Sequence, residues 1–403
     1  MSAPSRAQGA GRSNFMVVGL ALLFAGVAIA VVQYKIPGIL ESVMATYGMT
    51  SSTGSWLMSI FTMMGIFLSL PSGSLAKRFG PKNMMLAGCA VIVVGSLIGA
   101  FATSAWLMIA SRAVEGVAFV FISVAGPMAV ERYVDANHKG TVNGIWSLWI
   151  CLGSFAGSTA TPMVFERLGL TWTWLAYAGI VVVAAAVLAV AVRAPKGDAL
   201  DSGIDEEPEE KATLKDYAAL LRPNTVLFLF SWLVFNVLIL AVLSYTPTFL
   251  QGQGMNASLS GLASSLPGIL AIASSLVVGN LIDKTGRTKV FFLASMAVSG
   301  PATFLMLTQS GPLLWVGAVL MGFIGYGAPV SCLAALPQIA GKKELFAAVM
   351  GCYALIMCLG EFLGSLVTPM LLGPDMANWT FCGTVMLGLG IAGAVAIALC
   401  KFK

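Results

Sequence analysis

The chain has 403 residues, of which 58% are hydrophobic and only 10% charged, and its formal net charge is +5. That balance leaves too little polar surface for a soluble two-domain protein and points to a polytopic membrane protein. The lysines and arginines sit in short connecting segments, as topology signals do, and no nucleic-acid partner is expected. Seven cysteines scattered through apolar runs, with no C-x-x-C pair and one histidine, His138, argue against a disulfide framework or a metal centre.

Apolar runs of about twenty residues, the length of a bilayer span, occur near 14–40, 54–75, 83–102, 105–130, 140–165 and 171–193. A second set follows near 223–250, 258–282, 289–308, 312–335, 345–372 and 377–400. The first run trails Arg6 and Arg12; with so many similar runs behind it, it reads as a retained span and not a cleaved signal. The expected fold is therefore an all-α membrane protein of twelve transmembrane helices in two six-helix bundles, 1–193 and 223–403. A cytoplasmic linker, 194–222, holds eight of the seventeen acidic residues, and its Leu214–Leu221 stretch has the spacing of a short interfacial helix before Pro223. An even number of spans puts both termini on one side. All basic residues except Lys35, Arg112 and Arg167 lie in the termini or the even-to-odd connections, so these segments are expected to face the cytoplasm from a plasma (inner) membrane.

The two halves repeat one another. Gly144–Met163 and Gly351–Met370 lie 207 positions apart and share Gly153, Gly157, Thr161 and Pro162 with Gly360, Gly364, Thr368 and Pro369. Small residues four apart allow close helix packing. One difference inside the repeat carries chemistry, because Ser154 becomes Glu361. GSLAKRFGPK from Gly73 matches GNLIDKTGRT from Gly279, and Pro37 and Pro247 stand late in the first and seventh spans. Kinks at matching positions of two halves are expected to border a substrate path.

At these residues the sequence resembles the major facilitator superfamily over essentially its whole length. The family's loop signature after the second span is matched by Gly73, Leu75, Arg78, Gly80 and Lys82, and its second-half echo by Gly279, Asp283, Lys284, Gly286 and Arg287. Arg112 and Gly116 match the fourth-span signature. The resemblance implies a twelve-helix carrier working by alternating access, with Gly73, Arg78, Gly80, Gly279, Asp283, Gly286 and Arg287 forming a cytoplasmic gate. Two departures stand out. Lys77 replaces the aspartate that usually helps latch the first half, and the fifth-span antiporter signature has Ser158 after Gly157, with its proline only at Pro162. GSWLMSIFTMMGIFLSLPSG, FGPK, SRAVEG and GIWS look most similar to the cyanate, nitrate and nitroimidazole-type permeases.

A charge inside a span costs about 2.5–3.5 kcal/mol on insertion scales, so each needs a partner or a task. Arg112 and Glu115 share one face of the fourth span, either as a pair that attracts an anion and responds to protons or as a self-neutralising pair that holds the helix. At the repeated position Arg112 becomes Ala318 while Gly116 persists as Gly322. Glu361, near the middle of the eleventh span, suits proton coupling; its structural alternative is a hydrogen bond to a neighbouring helix. Lys35, beside Tyr34 and matched to Tyr245 in the repeat, snorkels to the outer headgroups or points inward and strengthens a positive site. Trp146, Trp149, Tyr326 and Tyr353 are candidates to line a cavity and Asn236 to orient a ligand, against the alternative of packing. His138 reads as a solvated loop residue.

There is no Walker-type phosphate loop, HExxH or GxSxG motif, so neither an enzyme nor a cofactor is expected. The residues point to a secondary active transporter that moves a small anionic or polar solute, coupled to protons or a counter-substrate, and acts as a monomer in the lipid bilayer. The alternatives are an exporter of amphipathic drugs or metabolites and, from another class, a non-transporting membrane sensor.

Overall fold

The computed structural model describes residues 14–135, 138–192, 220, 222–342 and 345–402, and these form helices and turns with no strand. Nearly all of the predicted linker and its interfacial helix lie outside the described residues. The first half runs α1 (Phe15–Gln33), a 3-10 turn (Pro37–Ile39), α2 (Leu40–Tyr47), α3 (Ser51–Phe79), α4 (Pro81–Ala100), α5 (Ala105–Tyr133), α6 (Lys139–Trp146) and α7 (Trp149–Ala191). The second runs α8 (Pro223–Gly252), α9 (Ala257–Thr285), α10 (Thr288–Thr308), α11 (Pro312–Leu320), a π turn (Met321–Gly325), α12 (Gly327–Ala340), α13 (Phe346–Leu372) and α14 (Trp379–Leu399).

With 43 residues, α7 is about 65 Å long, twice the hydrocarbon thickness of a bilayer. Gly169 breaks it at φ 73°, so α7 carries both the fifth and the sixth crossing. Because α1 and α2 share the first crossing and α11 and α12 the tenth, the chain makes twelve crossings in two six-helix bundles. Helix ends near Arg78, Lys82, Arg132, Lys284 and Arg287 form a basic end. At the opposite, far end the starts of α3, α5 and α9 are capped by Thr50, Ser104 and Asn256, whose side-chain oxygens accept from Thr53, Leu107 and Ser258 amides.

The repeated glycines do the same job twice. A Cβ at Gly157 would stand 2.9 Å from the Val31 carbonyl oxygen, and one at Gly364 would stand 2.5 Å from that of Val237. Gly153 likewise presses on Ala30 and Gly360 on Asn236. Only glycine lets α7 lie this close to α1, and α13 to α8. These contacts fix the register between first and seventh spans at 206 positions, which pairs Lys35 with Ala241 and not with Tyr245.

Three irregularities break the symmetry. The first span is interrupted between Gln33 and Leu40, whereas Pro247 sits inside an unbroken α8, so the expected pair of kinks is a single break. The fifth span is interrupted between α6 and α7, while α13 is continuous. A π turn divides the tenth span, and Ser274 of α9 donates to its Phe323 carbonyl at 2.9 Å. Such a turn disturbs the carbonyl ladder, and a neighbouring hydroxyl restores a partner.

Between the bundles, α3 lies along α13 and α7 along α9. Far-end contacts seal this seam. Ser51 Oγ donates to the Gly373 carbonyl (3.3 Å), Gln251 Nε2 donates to that of Gly38 (3.2 Å), and Gly261 meets the Ser158 carbonyl with no room for a Cβ. All of α8 from Val234 to Leu250 is buried, whereas α13 from Cys352 to Leu359 is half-buried or exposed.

Candidate functional site

Three ionisable side chains meet inside the first bundle. Lys35, Arg112 and Glu115 are fully buried. Lys35 Nζ lies 2.7 Å from one Glu115 carboxylate oxygen, which also accepts from Ser96 Oγ at 2.7 Å, and Arg112 pairs with the other. Lys35 therefore points inward, its ammonium 4.3 Å from the Trp174 ring, while the Arg112 guanidinium stands 4.6 Å over Phe61. Arg112 also donates to the carbonyls of Leu57 (3.0 Å), Val32 (2.9 Å) and Gln33 (3.0 Å). In a continuous helix Gln33 O would accept from residue 37, and Pro37 has no N–H. The buried arginine supplies that missing donor and holds the break in the first span. Ala318, at the matching place in the second half, offers no such donor, and α8 stays whole.

A second group gathers where the bundles meet. Glu361 is half-buried, and its carboxylate makes no hydrogen bond or ion pair among the described residues. Tyr34, Tyr326, Tyr353 and Cys358 lie within electrostatic range of it. Ser154, its counterpart in the repeat, faces the same region from α7. A Cβ at Gly268 of α9 would stand 3.7 Å from Ser154 Oγ and 4.0 Å from the Tyr326 hydroxyl. Tyr353 stacks on Trp232 (centroids 4.8 Å), Trp232 on Phe235 (5.7 Å), and Phe235 meets the edge of Tyr326 (5.9 Å). This aromatic wall has its middle buried in α8, and its half-buried tyrosines lie within electrostatic range of Glu361.

A family model described as Major Facilitator Superfamily matches residues 18–365 and, again, 259–402. The chain belongs to the Major Facilitator Superfamily. Its relatives include the Probable metabolite transport protein CsbC of Bacillus subtilis, 24% identical over 83% of this chain and 80% of that protein. The arabinose-proton symporter of Escherichia coli is 29% identical over 44% of this chain, and an uncharacterized MFS-type transporter of Mycobacterium tuberculosis, Rv1250, 27% identical over 34%. The chain spans only 37% and 24% of the lengths of those two proteins. The fold matches crystal structures of a bacterial homolog to the human lysosomal transporter Spinster, inward-facing and unoccupied (TM-score 0.73, 15% identity, 95% of both chains) or occupied (0.74, 12%, 94% and 95%).

As a superfamily member the chain keeps its signature turns at the basic end. Gly80 (φ 81°) links α3 to α4 and Gly286 (φ 65°) links α9 to α10, both in backbone conformations that favour glycine. Arg78 lies over the Phe79 ring and Arg287 precedes α10, while Gly73 and Gly279 lie within α3 and α9. The side chains of Lys77 and Asp283 lie outside the described residues. Trp146 and Trp149 are brought to the core of the first bundle, not to the seam. Trp146 fills the notch at Gly126, and Trp149 packs on Gly26 and Phe119. Asn236 turns back to donate to the Trp232 carbonyl at 2.7 Å. His138 stacks on Phe15 (centroids 3.8 Å), so it is a packed residue and not a freely solvated one. Sequence reasoning missed Ser96, Trp174, Trp232, Phe235 and Gly268. A serine, a glycine or an aromatic in an apolar run carries no sign of what it will face.

Proposed function

We propose that the protein is a secondary active transporter that moves a small polar, hydroxylated solute by alternating access, with Glu361 as the proton-coupling carboxylate. The carrying observation is that Glu361 is a mid-span acid whose carboxylate has no partner among the described residues, set between the bundles and within electrostatic range of three tyrosines from both halves. A protonatable group needs contact with solvent and solute to couple their movements, and an acid locked in an ion pair would lack it. Glu115 is locked in this way, which assigns coupling to Glu361 and a positioning role to the Lys35, Arg112 and Glu115 cluster. Most donors of Arg112 are already committed to backbone carbonyls, which favours a neutral polar solute over an anionic one. Aromatic faces beside hydroxyl groups suit the apolar and polar sides of such a solute. The names of the arabinose- and galactose-proton symporters among the relatives support the same class, and nothing in the comparisons supports the cyanate, nitrate and nitroimidazole branch.

The positive-inside rule assigns the basic end to the cytoplasm. The sealed far end supports an inward-facing form, and the carrier is proposed to work as a monomer in the plasma membrane. The experiment is transport in proteoliposomes, after a thermal-shift screen of sugars, polyols and organic acids has supplied a solute. Glu361→Gln is expected to abolish accumulation driven by a pH gradient while retaining solute exchange. Undiminished pH-driven accumulation in that variant would overturn the assignment.

A further inference from the structure

The buried cluster of the first bundle does not balance. Lys35 and Arg112 bring two positive charges and Glu115 one negative, so one positive charge is in excess in a place from which water is largely excluded. An uncompensated buried charge is costly, and a fold retains one where something answers it. Beside Arg112, at the seam between bundles, lies a cavity of about 20 Å³ bounded by Gln33, Tyr34, Pro37, Met58, Phe61, Thr62, Leu240 and Ser244. It has room for a single small particle and none for a solute molecule.

The polar groups on its wall include free donors. Arg112 carries five N–H groups, and four acceptors account for four of them, leaving one on Nη2. Ser244, from α8 of the other bundle, has a hydroxyl without a protein acceptor among the described residues. Gln33 also lines the cavity, and its side-chain amide N–H groups have no acceptor among the described residues, so they are available as donors. Thr62 is not a donor here, because its hydrogen goes to the Ser59 carbonyl. Met58, Phe61 and Leu240 supply apolar walls, which favour a weakly hydrated ion over a strongly hydrated one.

We propose that this cavity is a halide site. A chloride-sized monovalent anion, held by Arg112 and Gln33 of the first bundle and Ser244 of the second, neutralises the excess charge and ties the two bundles together at the sealed end. The site shares Tyr34 with the surroundings of Glu361 but does not include Glu361, and it calls for no particular transported solute. Its consequence is regulatory: halide stabilises the form closed at the far end and must leave, or shed Ser244, when that end opens.

The test is the thermal unfolding of the purified full-length chain in detergent at constant ionic strength, titrating sodium chloride or bromide against sodium gluconate. Saturable stabilisation by chloride and bromide, absent with gluconate, is expected, because an ion that binds the folded form raises stability by mass action. Lys35→Met removes the excess charge and is expected to abolish the response, and Ser244→Ala to weaken the apparent halide affinity about tenfold or more while leaving unfolding in gluconate unchanged. Equal unfolding temperatures in chloride and gluconate would overturn the proposal. So would a halide response that is the same in wild type and Ser244→Ala, since it would place the ion elsewhere. Should Lys35→Met fail to fold, the Ser244→Ala comparison decides alone.

Discussion

Arg112 donates to the carbonyl of Gln33, the acceptor that Pro37 leaves open four residues along the first span. The arginine and the proline are thus two halves of one device, a helix break and the cation that makes the break tolerable inside a membrane. Removing only the arginine strands the Leu57, Val32 and Gln33 carbonyls and leaves Glu115 with Lys35 as its one cationic partner. Arg112→Ala is expected to destabilise the protein by about 3 kcal/mol or more, since each buried carbonyl left without a donor costs about 1–3 kcal/mol. Arg112→Lys is expected to recover little, because one ammonium cannot reach three carbonyls and a carboxylate. Pro37→Ala on the Arg112→Ala background is expected to restore part of the loss by returning an amide to Gln33. A double-mutant cycle in thermal unfolding checks this, and strict additivity would refute the coupling.

The repeated glycines give a second set of expectations. A methyl group at Gly157 or Gly364 runs into a carbonyl of the facing helix, at 2.9 Å and 2.5 Å, while nothing lies within 4 Å of one at Gly144. Gly157→Ala and Gly364→Ala are therefore expected to lower the unfolding temperature clearly, and Gly144→Ala to be neutral or to stabilise by up to about 1 kcal/mol. Equal effects at all three positions would mean that the repeat glycines are not packing points.

Those glycines also show what could be read before the fold was in view. Hydropathy and the internal repeat were enough for twelve spans and two bundles, since bilayer thickness and backbone satisfaction leave few other solutions. The charged members of the site were legible for a related reason, because Lys35, Arg112, Glu115 and Glu361 are expensive wherever they sit in a span. Their grouping was not. Lys35 and Glu115 are eighty residues apart, and their meeting depends on how α1 packs against α5, which no local pattern encodes. Trp146 and Trp149 read as either cavity or packing residues, because an aromatic has the same appearance in sequence whether it meets solute or a glycine notch. The π turn before Tyr326 was hidden too, since GFIGYG continues an apolar run without any breaker but glycine.

That turn leads to a third prediction. Ser274 Oγ meets the Phe323 carbonyl inside it, and the turn delivers Tyr326 to the seam. Ser274→Ala is expected to cost about 0.5–1.5 kcal/mol, the worth of a typical hydrogen bond. It is also expected to raise the solute concentration for half-maximal transport, because Tyr326 loses its fixed position. Ser274→Cys, a weaker donor of similar size, should fall between wild type and alanine. A stability loss with unchanged half-saturation would leave the turn as scaffold alone.

The sharpest separation of binding from folding comes from the tyrosines. Tyr245 is fully buried, and its hydroxyl donates to the Ser365 carbonyl at 2.6 Å. The hydroxyls of Tyr326 and Tyr353 make no hydrogen bond to the protein among the described residues. Deleting a hydroxyl that already has a partner costs stability, whereas deleting one that waits for solute costs only binding. Tyr245→Phe is therefore expected to lower the unfolding temperature, by the equivalent of about 1 kcal/mol or somewhat more, with unaltered half-saturation for transport. Tyr326→Phe and Tyr353→Phe are expected to unfold as wild type does and to bind solute about tenfold more weakly, the effect of losing one hydrogen bond of about 1.4 kcal/mol to a ligand. Isothermal binding and thermal unfolding on the same preparations decide. Unchanged solute affinity in both the Tyr326→Phe and Tyr353→Phe proteins would remove the aromatic wall from the binding site and leave Glu361 without its proposed surroundings.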